Sequence, residues 1–216
     1  MPSKYRIRNF EENGYYHIFN RGVEKRKIFL DDQDYKMFSY YLFVYLKPLD
    51  EILLAYPLLP TRLQAKNLAN EIDLISYCLM PNHFHLLLKQ RTKNGFSKFI
   101  KQITNAYTEY FNKKYERTGS LMQGTFKSVK VNTDQQLIHL SRYIHLNPIV
   151  DNVVDELTAY PWSSYKDIIS SKPKSLCKIE ITLNLSGSAG NYEKFVKDQI
   201  DYAKELKKLE GLTVDD

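Results

Sequence analysis

The stretch Tyr77-Cys78-Leu79-Met80-Pro81-Asn82-His83-Phe84-His85-Leu86-Leu87-Leu88 constrains this chain more than any other. It reads as a strand, a tight Pro-Asn turn and a second strand opening on His-Phe-His. Side chains alternate across a strand, so His83 and His85 share one face and Phe84 takes the other. Two imidazoles about 7 Å apart on one strand face can converge on one metal ion. The run Leu86-Leu87-Leu88 does not alternate, which suits a central strand covered on both sides. Taken alone, His-x-His fits two half-buried strand histidines equally well, so a second stretch must decide.

The last strongly patterned helix supplies that stretch. Thr133 or Asp134 caps a helix over about 134–147, expected to stop at Pro148. Leu137, Leu140 and Ile144 form its apolar stripe. His139, Tyr143 and Asn147 recur every four residues beside it, with Gln136 on the same side. A hydroxyl and an amide one turn apart can serve one site, with the Asn147 oxygen as a metal ligand and Tyr143 as a nucleophile. Asn-Pro is also an ordinary helix stop, and Tyr143 also fits a plain rim residue.

Between these stretches the pattern is consistent. Tyr15 to Arg21 alternates and ends at Gly22, giving a first strand. Asp31 or Asp32 caps a helix over 32–47. Residues 48–72, broken by Pro48, Pro57 and Pro60, read as an insertion. Strands follow over 73–80 and 84–90, then an amphipathic helix over 97–114 and a strand over 125–131. This order predicts an α+β fold: a ferredoxin-like split βαβ antiparallel sheet with helices packed on one face. Residues 1–12 read as a basic arm, 150–188 as irregular chain anchored by Pro161-Trp162, and 191–208 as a closing helix. The expected organisation is one unit over 1–150, carrying the 48–72 insertion, and a C-terminal extension over 151–216 packed on it.

Lys and Arg outnumber Asp and Glu by 31 to 25, an excess compatible with nucleic acid but not demanding it. Seventeen Tyr and 11 Phe can supply base-stacking surfaces as well as core. Cys78 and Cys177 lie too far apart in sequence for a paired-cysteine zinc motif and make no disulfide framework. No apolar run approaches about 18 residues and no signal-peptide pattern opens the chain, so no membrane partner and a cytoplasmic location are expected.

The strand pair around His83-Phe84-His85 together with Tyr143-Ile144-His145-Leu146-Asn147-Pro148 resembles the single-tyrosine HUH transposases, and within them the REP-associated tyrosine transposases. Tyr16 to Gly22, Tyr110-Phe111-Asn112 and Gln123 to Ser128 match in the same order, over about 15–165. The resemblance implies that 1–150 is the catalytic domain. It implies His83 and His85 as metal ligands for Mg²⁺ or Mn²⁺, Asn147 as the third, and Tyr143 as the nucleophile. The implied activity is nicking and strand transfer of single-stranded DNA beside a hairpin through a 5′-phosphotyrosine. Relatives include monomers and dimers that exchange the tyrosine helix, so a homodimer stays open. The chain departs from the pattern at Thr125, where Arg is usual, at Met122, often aromatic, and in a longer 48–72 segment.

Several residues carry weaker readings. His139, one turn before Tyr143, is a candidate to orient it. Arg21, Lys98, Lys101, Lys127, Lys130 and Arg142 are candidate phosphate contacts, each also an ordinary surface charge. Tyr107 and Tyr110 read as core, and His17 and His145 as structural. Three rival readings share these residues. The alternative function is a domesticated protein that holds DNA or RNA hairpins without cutting. A replication-type nicking enzyme does not fit the motif order. A structural metal site would melt with its ion.

Overall fold

A computed structural model describes residues 10–212, so most of the proposed N-terminal arm lies outside the described residues. Four antiparallel strands, β1 (Tyr15–Arg21), β2 (Ile72–Met80), β3 (His83–Gln90) and β4 (Lys127–Val131), form one sheet in the order β2-β3-β1-β4. Helix α1 (Asp32–Leu46) joins β1 to β2, and α4 (Gly95–Lys114) joins β3 to β4. This is the expected split βαβ plan, with β3 and β1 central.

Alternation sorts the sheet into two faces. Tyr16, Ile18, Phe84, Leu86 and Leu88 meet Phe38, Leu42, Phe99, Ile103 and Tyr107 of α1 and α4 in the main core. Each large apolar side chain buried there contributes about 1.5–3 kcal/mol. Asp31 caps α1 by accepting from the Asp34 backbone N–H. Asp34 is itself buried, and its carboxylate accepts from Lys114, Tyr110 and Tyr115, tying α1 to α4. Tyr107 donates its hydroxyl to the Ile28 carbonyl from within the core.

The opposite face carries His17, Phe19, His83, His85 and Leu87, since strand residues two apart share a side. A bulge between Leu74 and Ser76 shifts the phase of β2 and brings Ile75, Cys78 and Met80 to this face. There they pack with Leu137 and Ile144 of α5 (Asp134–Val150). α5 therefore roofs the face that bears the histidines.

α5 does not stop at Pro148, as the sequence suggested, but runs through it to Val150. Proline lacks the N–H that Ile144 would accept, and its ring crowds that carbonyl. So near the helix end the loss is one bond, and Asp151 N–H closes the turn on the Asn147 carbonyl at 2.8 Å. The 48–72 segment contains two short helices, α2 (Leu49–Ala55) and α3 (Thr61–Gln64). Asn67 ties it to the end of α1 through the Val44 and Lys47 carbonyls.

Residues 150–188 are more ordered than expected, with α6 (Tyr165–Ile169) and α7 (Ile179–Ser186). Ahead of α6, the chain runs along the outer edge of β2, where Leu79 N–H bonds the Trp162 carbonyl and Ser164 N–H the Tyr77 carbonyl. That covers an otherwise open sheet edge. Trp162 stacks on Tyr35 at 4.7 Å. The closing helix is two, α8 (Ala189–Lys197) and α9 (Ile200–Leu212). Tyr165, Ile168, Tyr192 and Val196 join the main core. His145 is fully buried and bonds Tyr192 and Ser164 through its two ring nitrogens, which locks α5 to α8 and to the edge segment.

Candidate active site

The strand period and the helix period meet in one cleft of about 790 Å³. Its walls include His83 and His85 from β3, Tyr143 and Asn147 from α5, and Phe19 and Arg21 from β1. The His83 and His85 rings lie 4.9 Å apart, at right angles. The Tyr143 ring stands edge-on to His85 at 5.7 Å and is 53% exposed. Asn147, one turn later, is buried and donates its Nδ2–H to the Tyr143 carbonyl at 2.8 Å. That bond uses the amide nitrogen, and Asn147 acts on both imidazoles to raise their pKa against the lowering effect of burial.

Burial sets the charge of this cluster. Desolvation holds His83 below the usual imidazole range, against a raising effect from Asp151 and Asn147. His85 lies well below that range, through burial first and then the neighbouring His17 and His83. His17 is held by burial at about 4. At neutral pH all three rings are therefore uncharged, the form in which imidazole binds a metal. The donor set of two neutral nitrogens and an amide oxygen fits a divalent ion, with the remaining positions left for outside oxygens. Among the described residues no group of three or more His, Cys, Asp or Glu side chains is placed to hold a metal ion.

The candidate phosphate contacts separate. Arg21 and Lys127 line the cleft, Arg21 donating to Gln123 and Lys127 lying 6.0 Å above the Phe19 ring. Lys98 is paired with Glu71 and Lys130 with Glu11, both away from the cleft. Lys101 lines a second cleft along α4. Arg142 lies over the Phe195 ring at 4.1 Å and donates to His139, which itself packs on Phe195. His139 and Arg142 thus face α8.

Four further residues lie at this site, among them His17, which the sequence alone reads as structural. His17 bonds His85, Nε2 to Nδ1, at 2.8 Å. Asn82 bonds the Nδ1 of His83 at 2.6 Å. Lys25 and Lys207 add positive charge to the cleft wall, Lys207 being paired with Asp151. His17 shares the alternation phase of Phe19, a signal that needs the β1–β3 pairing to be read. The expected strand at Thr125 begins only at Lys127, because Gly124 turns the chain with φ of +65°. Thr125 then lines the cleft instead.

The family profile described as transposase, IS200 like, matches residues 11–147, which span the sheet, both crossover helices and α5 through Asn147. The chain belongs to the IS200-like transposase family. Among solved structures, it is similar to a REP-associated tyrosine transposase bound to a REP hairpin, at a TM-score of 0.51 and 13% identity, over 81% of this chain and 89% of that one. At that identity the likeness speaks for the fold. A provisionally named transposase from Deinococcus radiodurans R1 aligns at a TM-score of 0.36 and 13% identity, over 67% of this chain and 95% of that one, too distant to bear on the fold. No curated protein matches the chain in sequence. No helix of this IS200-like transposase, among the described residues, is long and apolar enough to cross a membrane.

Proposed function

We propose that this protein nicks and rejoins single-stranded DNA through a covalent link to Tyr143, next to a DNA hairpin. The observation that carries the reading is the convergence of an exposed phenol, two neutral imidazoles and an amide oxygen in one cleft. The hairpin is taken from the structural relative, which was solved bound to one. The same relative supports placing the chain in the REP-associated branch. In this reading residues 1–150 form the catalytic unit and 151–216 a C-terminal extension, whose described residues pack against α5 and cover the edge of β2.

His83, His85 and Asn147 would hold Mg²⁺ or Mn²⁺. When bound, the ion would supply Lewis-acid polarisation of the scissile phosphate. With no carboxylate among its ligands the site should hold Mg²⁺ loosely and favour Mn²⁺. Arg21 and Lys127 on the cleft wall would position the phosphodiester backbone. The Tyr143 oxygen attacks phosphorus in line. A bond from Tyr143 Oη to phosphorus forms and the bond from phosphorus to the 3′ oxygen breaks. The phenol proton passes to solvent, and the departing oxygen takes up a proton to become a 3′-hydroxyl. The product is a 5′-phosphotyrosine. It is still a diester, so a second 3′-hydroxyl can reverse the step and join a new strand without a nucleotide cofactor.

The test uses single-stranded DNA carrying hairpins from the flanks of the protein's own gene, with Mn²⁺ or Mg²⁺. An SDS-resistant protein–DNA adduct is expected for the wild type and not for Tyr143→Phe. Tight hairpin binding with no adduct in either metal would replace this reading with a non-cleaving hairpin binder.

A further inference from the structure

Each candidate ligand imidazole is tied at one nitrogen by a residue from a different element. His83 Nδ1 meets Asn82 Oδ1 at 2.6 Å, and His85 Nδ1 meets His17 Nε2 at 2.8 Å. We propose that Asn82 and His17 are positioning residues that hold the two imidazoles with the proton on Nδ1 and the Nε2 lone pair turned to the metal. This rests on the metal-binding part of the proposed function and extends it to two residues outside the ligand set.

The assignment at His83 follows from the Asn82 amide. Asn82 Nδ2 donates to the Lys25 carbonyl at 3.3 Å, so the atom facing the ring is the oxygen. An amide oxygen accepts and cannot donate. The proton therefore sits on His83 Nδ1, and the lone pair is left on Nε2. At His85 the heavy atoms alone permit either donor, since both partners are imidazoles. Metal binding removes the choice. With Nδ1 occupied by His17, Nε2 is the nitrogen left for an ion. A bare Nε2 puts the proton on His85 Nδ1, and His17 must then accept it at Nε2 and carry its own proton on Nδ1. Its place is set by the β1–β3 register: His17 is paired with Leu87, which puts it diagonal to His85 on the same face. The Phe19 ring stacks on it at 4.7 Å and stops it turning away.

A hydrogen bond at the far nitrogen fixes the plane of a ligating imidazole and raises its basicity, and loss of such a partner typically costs about 10–100-fold in metal affinity. The test titrates Mn²⁺ into the full chain, followed by electron paramagnetic resonance. Asn82→Ala and His17→Phe are each expected to weaken Mn²⁺ by about 10–100-fold. Asn82→Asp and His17→Gln restore an acceptor and should return to within a few-fold of wild type. Thermal melting of each variant checks folding, and Asn82, in a turn, carries the test if His17→Phe does not fold. Long-range ¹⁵N–¹H spectra give a readout without metal: His83 should be the Nδ1–H tautomer in the free wild type and a mixture in Asn82→Ala. With Zn²⁺ added as a diamagnetic probe, His85 should join it as Nδ1–H. Unchanged Mn²⁺ affinity in folded Asn82→Ala and His17→Phe, or an Nε2–H His83 in the wild type, overturns the inference while leaving the proposed reaction standing. A wild type that binds no Mn²⁺ and forms no adduct removes both together.

Discussion

Asn147 donates to the backbone carbonyl of Tyr143 at 2.8 Å, so the candidate nucleophile and the candidate third ligand hold each other on one turn of α5. The bond fixes which end of the amide faces the histidines. Asn147→Ala removes the oxygen and the side-chain bond to Tyr143 while leaving the helix its backbone hydrogen bonds. Adduct formation should fall on the order of 10²-fold or more, in line with the loss of a preorganised electrostatic group. Asn147→Asp should bind Mn²⁺ more tightly than the wild type, because a carboxylate replaces a neutral amide. Rates of adduct formation and Mn²⁺ titrations check both. An Ala variant that reacts at the wild-type rate would remove Asn147 from the site.

The same burial that keeps the histidines neutral makes the fold acid-sensitive. His145 is held at about 3 and His17 at about 4, both through desolvation. An unfolded histidine titrates near 6.5, so between that pH and the folded value the unfolded chain binds more protons. Stability is therefore full above about pH 6.5 and falls as the pH drops, by roughly 3 kcal/mol for each residue by pH 4. Urea unfolding at pH 7 and pH 4.5 measures the fall. In His145→Gln the fall should be smaller than in the wild type, which subtracts the contribution of carboxylates. Equal falls in the two proteins would assign the sensitivity elsewhere.

Much of the site was legible because its two halves are local. Period two puts His83 and His85 on one face, and period 3.6 puts Tyr143 and Asn147 on one side of a helix. Neither statement needs the fold. What escaped was set by register and by partners distant in sequence. Whether His17 meets anything depends on which residue of β3 lies beside it, and Leu87 and His85 are read only once the strands are paired. Lys98, Lys127 and Lys130 look alike in sequence, yet Glu71 and Glu11 occupy two of them. The helices of residues 150–188 went unseen because α6 has 5 residues and α7 has 8, too few turns to declare a period. Pro148 misled because a proline one turn from a helix end removes one bond and need not end the helix.

That sorting of the lysines gives a direct test. Lys127 lies exposed on the same sheet face as Phe19, at the cleft. Lys127→Ala should weaken binding of single-stranded DNA across sequences and reduce the slope of log affinity against log salt by about 1. Lys98→Ala and Lys130→Ala should leave both almost unchanged, since each lysine is paired away from the cleft. Fluorescence anisotropy at several salt concentrations reads the slope. Equal effects from all three would mean a diffuse electrostatic attraction with no defined track.

Tyr143, His83, His85 and Asn147 line one cleft within a single chain, with the Tyr143 ring 5.7 Å from His85. The pairing needs no second copy, which leads us to expect the tyrosine to act on the metal site of its own chain. Complementation decides. Tyr143→Phe keeps the metal ligands and loses the nucleophile. A His83→Ala, His85→Ala double variant keeps the nucleophile and loses the ligands. If α5 were exchanged between subunits, mixing and co-refolding the two would rebuild one complete site in each mixed dimer and recover adduct on the double variant's Tyr143. Action within one chain predicts no adduct at any mixing ratio, while a co-refolded wild type keeps full activity. Recovered adduct would overturn this expectation and make the working enzyme a dimer, with the hydrogen bond from Asn147 to Tyr143 travelling as a unit on the exchanged helix.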